Sequence, residues 1–457
     1  MEFISLGRDH DIGASCHFLH IDDIGILLDA GADPNEEGPA SLPDFSPIQH
    51  RQVDHVMVSH AHHDHIGSLP AVNARWPMAR LHLTHASQSL TTLMLYASER
   101  LQQRKYYEGS SPFPALFDEE DLDDVFDMFH SHPYNRTFPL DTKKTAAEFY
   151  YSGHLLGATG VLITTAENQR IFYTSDTRSE DQTIIPGGKY PSAPVDVLIM
   201  ESTLGADPVA ETVTRPEEEI RFAHQLKAVL DRGGSVLIPV FMLGRAQEIL
   251  ALLGRFKDER ILDPKTPIYT AGGLREVSRI YDAFRNSTPR IDPDFEVYSV
   301  DQIRFPRTRK ARQKAFSRPG IHVLASGMMI ERTLSHQIAM EFLEHEQHAI
   351  FFVGFAKEDL PSGKLLHAAQ SGAEGIILSH ERGMQPIACE VDRFRFSGHA
   401  HRKELTELAV SLQPKTIILI HGQTDAKKWL KEELRQHCPD TRILIPSQGE
   451  KTSIVLR

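Results

Sequence analysis

Residues 60–65 read His60-Ala61-His62-His63-Asp64-His65 and follow the short apolar run 55–59. Imidazole and carboxylate side chains are ligands for a divalent transition metal, zinc above all. A bend after the strand would let His60 and His62 face one ion while Asp64 and His65 face a second, with His63 at the position expected to point away. Burying such a group without a cation would leave polar atoms unpaired at one point. One hexapeptide cannot complete two coordination spheres, so further ligands are expected from elsewhere. The candidates are His154 in a turn flanked by Gly153 and Gly157, Asp176 after the run 171–175, and His421 at the end of 417–421. A carboxylate can bridge two cations and neutral imidazole cannot, which makes Asp176 the candidate bridge.

The elements that must position these groups are short apolar strands. Strands are expected at 24–29, 55–59, 80–83, 160–165, 171–175, 195–201 and 417–421, interleaved with helical stretches. Several end on a polar residue: Asp29, His60 just past Ser59, Asp176 just past Ser175, Glu201 and His421. Open α/β layers build their sites at that edge. The middle of the chain differs. Pro216 opens a helix, Gly233-Gly234 closes it, and Gly244-Arg245 leads from strand 235–240 into a second helix. Further strands at 267–270, 322–326 and 349–354 continue the alternation, which is that of a parallel α/β unit. It lies between strand-end candidates before 202 and after 398, so an inserted domain is expected. The boundaries are placed at 1–204, 205–385 for the insertion, and 386–457.

Composition agrees. A chain of 457 residues suggests two or three domains, or one with a large insertion. With 40% hydrophobic and 24% charged residues it has the profile of a soluble globular protein. No uncharged apolar run approaches the roughly 18 residues of a membrane span, and the start of the chain lacks the pattern of a secretory signal. Cys16, Cys389 and Cys438 are too few and too dispersed for a disulfide framework, so a cytoplasmic location is expected. The net charge of −13 argues against a purely electrostatic nucleic-acid binder. The acidic run 118–127 is expected to be a solvated face. The basic run 304–318 is a candidate nucleic-acid contact.

The motifs together resemble the metallo-β-lactamase superfamily, and within it the β-CASP nucleases, which include the cleavage-and-polyadenylation endonuclease and bacterial RNase J. Asp29 in LLDAG is similar to the first motif, residues 60–65 to the second, His154 to the third and Asp176 to the fourth. Glu201 in MEST resembles motif A, His399 in FSGHA motif B, and His421 in LIHG motif C. Residues 233–248 and 325–328 are similar to the inserted β-CASP domain. The fold implied is an αββα metallo-β-lactamase sandwich carrying a parallel α/β insertion.

The resemblance implies two Zn²⁺ per chain, with Mn²⁺ an alternative. One ion would take His60, His62 and His154, the other Asp64, His65 and His421. Asp176 would bridge them together with a hydroxide, and Asp29 would orient a ligand from behind. Glu201 and His399 are left over from this ligand set. His399 is therefore assigned as general acid for the leaving oxygen, with Glu201 holding its ring. Ser397, Gly398 and Arg245 are weaker candidates for nucleic-acid contacts, and His401 is expected at the surface. A histidine in motif C goes with RNA-processing members, so single-stranded RNA is the expected partner, with self-association into a homodimer left open. An endonuclease is expected over a 5′-exonuclease. The rival readings are a small-ester or thioester metallohydrolase and an inactive scaffold subunit. After Gly327 the chain reads MMIERTLSHQ where family members commonly show a glycine-proline turn, so no substrate contact is carried over there.

Overall fold

The computed structural model describes the chain apart from residues 8–11, 143, 307, 317 and 457, and apart from the side chains of 309, 313 and 314. Part of the basic run 304–318 thus lies outside the described residues. The chain forms two compact units, one built from 1–181, 187–211 and 399–457, the other from 182–186 and 212–398. These divisions fall beyond the 204/205 and 385/386 positions read from sequence, for a local reason at each end. Leu204 bridges to His401 within the first unit. Strand Glu390–Arg393 pairs in parallel with Ala349–Phe352 within the second.

The first unit is a sandwich of two seven-stranded sheets. One runs, edge to edge, Lys451–Ser453, Glu2–Ser5, His17–Ile21, Ile24–Leu28, His55–Met57, Arg80–Leu83, Phe129–Ser131. The other runs Arg442–Leu444, Thr416–Leu419, Val197–Met200, Arg170–Tyr173, Thr159–Thr164, Ala146–Tyr151, Thr137–Pro139. Strand alternation explains the layers, since successive side chains face opposite sides. Ile171, Tyr173, Val197, Ile199 and Ile418 point into the core between the sheets, against Leu19, Ile26, Leu28 and Met57. Their neighbours Phe172, Leu198, Met200, Ile417 and Leu419 point the other way, against Leu405, Leu408, Leu412, Leu430 and Leu434 of helices Arg402–Leu412 and Thr424–His437. The strands expected from sequence at 24–29, 55–59, 171–175, 195–201 and 417–421 form Ile24–Leu28, His55–Met57, Arg170–Tyr173, Val197–Met200 and Thr416–Leu419. The polar residue that drew attention to each strand follows one to three positions after its end. The acidic run forms helix Glu119–Asp127, capped by Asp118, with Leu122 and Val125 its buried residues.

The second unit carries a six-stranded sheet in the order Ile303–Arg304, Ile268–Thr270, Ile321–Leu324, Val236–Pro239, Ala349–Phe352, Glu390–Arg393. Every pairing in it is parallel. Its central strands are buried throughout, as strands covered by crossover helices on both faces must be. The α/β insertion expected from sequence is present. Among the described residues, no helix is long and apolar enough to cross a membrane.

Candidate metal centre

The His60–His65 segment leaves strand His55–Met57, turns, and enters the short helix His63–Ile66. The loop after strand Ile24–Leu28 grips this turn by its backbone. Ala30 N donates to His65 O at 2.9 Å and Ala32 N to His63 O at 3.1 Å. Gly31 sits between them because a Cβ there would lie 1.6 Å from Asp64 O. That close approach accounts for the glycine of LLDAG. Three residues at strand ends hold left-handed backbone: Asp29 at φ 58°, Ser175 at 51° and His421 at 44°. Such conformations cost non-glycine residues on the order of 1–3 kcal/mol each and collect at functional sites.

Two sets of ligand atoms converge here. His60 Nε2 and His154 Nε2 lie 3.1 and 3.2 Å from His62 Nδ1. Asp176 Oδ2 is 3.5 Å from His60 Nε2 and 3.6 Å from His154 Nε2. In the second set, Asp64 Oδ2 is 3.4 Å from His421 Nε2 and 3.7 Å from His65 Nε2. Asp176 Oδ2 is also 3.4 Å from His65 Nε2, so one oxygen stands between the two sets. Ligands about 2.1 Å from a tetrahedral zinc lie about 3.4 Å apart, and the spacings here run close to that value.

The proton positions show why a cation fits. Ser59 Oγ donates to Asp29 Oδ2 at 2.7 Å and accepts from Ser175 Oγ at 2.6 Å. Its remaining contact, His60 Nδ1 at 3.0 Å, must therefore be with an N–H, which leaves the lone pair of His60 on Nε2. His65 Nδ1 bonds Asp29 Oδ2 at 2.8 Å, and Tyr173 Oη donates to the same oxygen at 2.6 Å. That leaves His65 Nε2 facing the centre. His65 Nε2 and Asp176 Oδ1 are buried and make no hydrogen bond. Lone pairs held face to face, beside buried acceptors without donors, suit a cation and little else.

Charge balance points the same way. Burial opposes ionisation of Asp176, and the His421, His65 and His399 rings outweigh it, holding the carboxyl well below its usual range. Burial likewise opposes ionisation of Asp64, but His65 and His421 keep it low. His60 is driven down, by burial and then by His65. His65, although burial opposes its charge, is driven up by Asp176, Asp64 and Asp29.

His399 stands outside both ligand sets. Its Nδ1 meets Glu201 Oε2 at 3.0 Å and its Nε2 lies 3.9 Å from Asp176 Oδ2. Glu201 is fully buried and also accepts from Thr177 N at 2.7 Å, which ties it to the loop carrying Asp176. Burial opposes a charge on His399, but the Glu201 and Asp176 carboxylates raise it to about 9. Cations on Asp176 would draw that value back down.

Residues 18–204 match the metallo-beta-lactamase superfamily domain, 246–365 the Beta-Casp domain, and 384–446 the Zn-dependent metallo-hydrolase RNA specificity domain. The chain belongs to the β-CASP family of the metallo-β-lactamase superfamily. Among its curated relatives, Endoribonuclease ysh-1 of Neurospora crassa is 30% identical over 94% of this chain and 53% of the relative. Endoribonuclease YSH1 of Eremothecium gossypii is 28% identical over 94% of this chain and 56% of the relative. The chain spans about half the length of these relatives. A crystal structure of a protein of unknown function from Enterococcus faecalis V583 aligns over 99% of both chains, with a TM-score of 0.57 and 14% identity, a likeness of fold alone.

The remaining β-CASP candidates are placed as follows. Arg245 is buried and donates through Nη2 to Gln182 Oε1 at 2.9 Å within the second unit. Ser397 is half-buried and Gly398 buried, both at the end of that unit. His401 is not a surface residue. It caps helix Arg402–Leu412, accepting from Glu404 N through Nδ1 at 3.4 Å, while Glu404 returns a bond to His401 N. Glu180 completes a separate His/carboxylate cluster there. With Nδ1 accepting, the proton of the neutral ring sits on Nε2, the atom that faces the carboxylates, so this cluster is a helix cap and not a metal site. Sequence reading missed Ser59, Tyr173 and Ser175. Their one available signal is position, each standing at or next to a strand end that carries a candidate ligand.

Proposed function

We propose that this β-CASP protein is a zinc-dependent ribonuclease that hydrolyses phosphodiester bonds within single-stranded RNA. Two ions per chain would be held by His60, His62 and His154 on one side and Asp64, His65 and His421 on the other, with Asp176 between. The observation that carries the reading is His399. It is a histidine held by a buried carboxylate, outside the ligand sets and beside the bridging one, where a departing oxygen would need a proton. Zinc bound there supplies Lewis acidity, acidifying water near neutral pH and offsetting charge on the phosphoryl group. Glu201 fixes the His399 ring through Nδ1, which turns the Nε2 proton toward the centre. His399 then gives that proton to the leaving oxygen, a role worth typically 10²–10⁴-fold in rate. Asp29, Ser59 and Tyr173 keep His60 and His65 in the tautomers that present Nε2.

RNA as substrate is supported by the match of residues 384–446 to an RNA specificity domain. Cutting within the chain is supported by relatives named endoribonucleases. The free thiols of Cys16, Cys389 and Cys438 fit the reducing cytoplasm in which we place it. The test is incubation of the zinc-loaded protein with a long RNA of defined sequence, with and without chelator. Internal fragments that vanish on chelation are expected. Mononucleotides from the outset would overturn the endonuclease mode, and hydrolysis of small esters with RNA left intact would overturn the substrate.

A further inference from the structure

Glu201, Ser202 and Thr203 follow strand Val197–Met200, and alternate residues of this tripeptide reach two different histidines. Glu201 takes the Nδ1 of His399. Thr203 takes His421. Its hydroxyl lies 3.1 Å from His421 Nδ1 and donates to His421 O at 3.3 Å. When that hydroxyl gives its one proton to the carbonyl it can only accept at Nδ1, which then carries the ring N–H. The lone pair of His421 is thereby left on Nε2, the atom 3.4 Å from Asp64 Oδ2.

The clasp is needed because His421 has a second way to turn. Its Nδ1 also stands 3.2 Å from Asp176 Oδ1, and its backbone is held at φ 44°. Without a partner behind the ring, either nitrogen could face the carboxylates. Ser202 N donates to His421 O at 2.9 Å, and Gly422 packs where a Cβ would lie 2.7 Å from Ser202 O, so the two segments are in contact along their backbones. We propose that Thr203 is a positioning residue that holds His421 with Nε2 toward the Asp64 and His65 side, so that one tripeptide sets both the proton donor and the second metal position. The inference rests on reading the centre as dinuclear.

Removing the group behind a metal-binding histidine typically lowers metal affinity 10–100-fold. The experiment compares full-length wild type, Thr203→Val, Thr203→Ser and His421→Ala, each loaded with zinc, by metal content and by competition with a chelator. Wild type should hold two zinc ions. Thr203→Val keeps the shape of threonine without its hydroxyl and should retain one ion tightly while the other weakens 10–100-fold, with thermal stability little changed. Thr203→Ser should restore the second ion, and His421→Ala should lose the ion that Thr203→Val weakens. RNA cleavage by Thr203→Val should recover with added zinc. Two ions held by Thr203→Val as tightly as by wild type, equal weakening of both, or failure of serine to rescue would overturn the role of Thr203. Wild type that holds fewer than two ions would instead overturn the reading of the centre, and this inference with it.

Discussion

Two histidine clusters lie in the same unit, one beginning on strand His55–Met57 and the other in the turn just after it. His60 opens the metal centre, and five residues earlier His55 opens a file of three rings. In the file, His55 Nε2 donates to Leu140 O, His55 Nδ1 meets His82 Nε2, and His82 Nδ1 meets His132 Nε2, each at 2.9 Å. Reading from the carbonyl outward, each Nδ1 accepts from the Nε2–H of the next ring, so no lone pair is left unmatched between the rings. His132 then stacks on Phe138 with ring centroids 3.7 Å apart. At the metal centre the backs of the rings are held by Asp29, Ser59 and Thr203, and the lone pairs meet in front. Carboxylates Asp64, Asp176 and Glu201 stand among them. The contrast teaches that clustered, buried histidines become a metal site only where second partners take the N–H and leave the lone pairs converging.

The largest effect should follow from Asp176→Ala, which removes the oxygen shared by both sets. Both metal positions should empty or scramble in metal analysis, and RNA cleavage should fall to background. An intact pair of ions in that variant would break the bridging assignment. His399→Ala comes next: both zinc ions should stay while kcat falls by about 10²–10⁴-fold. Loss of metal there would show that His399 is a ligand.

The file should behave in the opposite way. His82→Leu should leave zinc content unchanged and lower stability by about 1–3 kcal/mol in denaturant titration, the cost of leaving buried hydrogen-bonding groups unmade. The same variant tests pH dependence. Burial, then the neighbouring His55 and His132, push His82 down to about 2, and burial, then His130 and His85, push His132 down to about 4. Because the folded values lie below the ordinary 6.5, the unfolded chain takes up protons first as pH falls. The file's contribution is full above about 6.5 and is lost progressively toward 4 and below. Wild type should therefore lose more stability than His82→Leu over that window, and parallel losses would break the account. The smallest effect belongs to the helix cap. His401→Ala should cost about 1 kcal/mol with zinc content unchanged, and His401→Ser should restore it. A fall in metal content would return that cluster to the list of ligands.

Much of this was legible beforehand. Strand ends were found because a short apolar run that stops at Asp29, Asp176 or His421 carries its own signal, and the β-CASP insertion showed in its alternation of strand and helix. His401 was misplaced because a polar residue at a helix start has the same local pattern whether it faces solvent or a buried acceptor, and the same pattern leaves the role of Arg245 open. Ser59, Tyr173, Ser175 and Thr203 were missed because hydroxyls at strand ends are common and nothing local marks the network behind the histidines that each one joins.

By itself, the order of residue types determined that a zinc-binding hydrolase fold was present and which side chains could serve it. It could not decide between His55 and His60, since both are buried histidines five positions apart. That choice belongs to the tertiary structure. The nitrogen each ring presents is set by partners distant in the chain, with Asp64 and His421 separated by 357 positions and Asp29 and Tyr173 by 144. A tautomer is a property of a contact, and such contacts exist only once the sheets have packed.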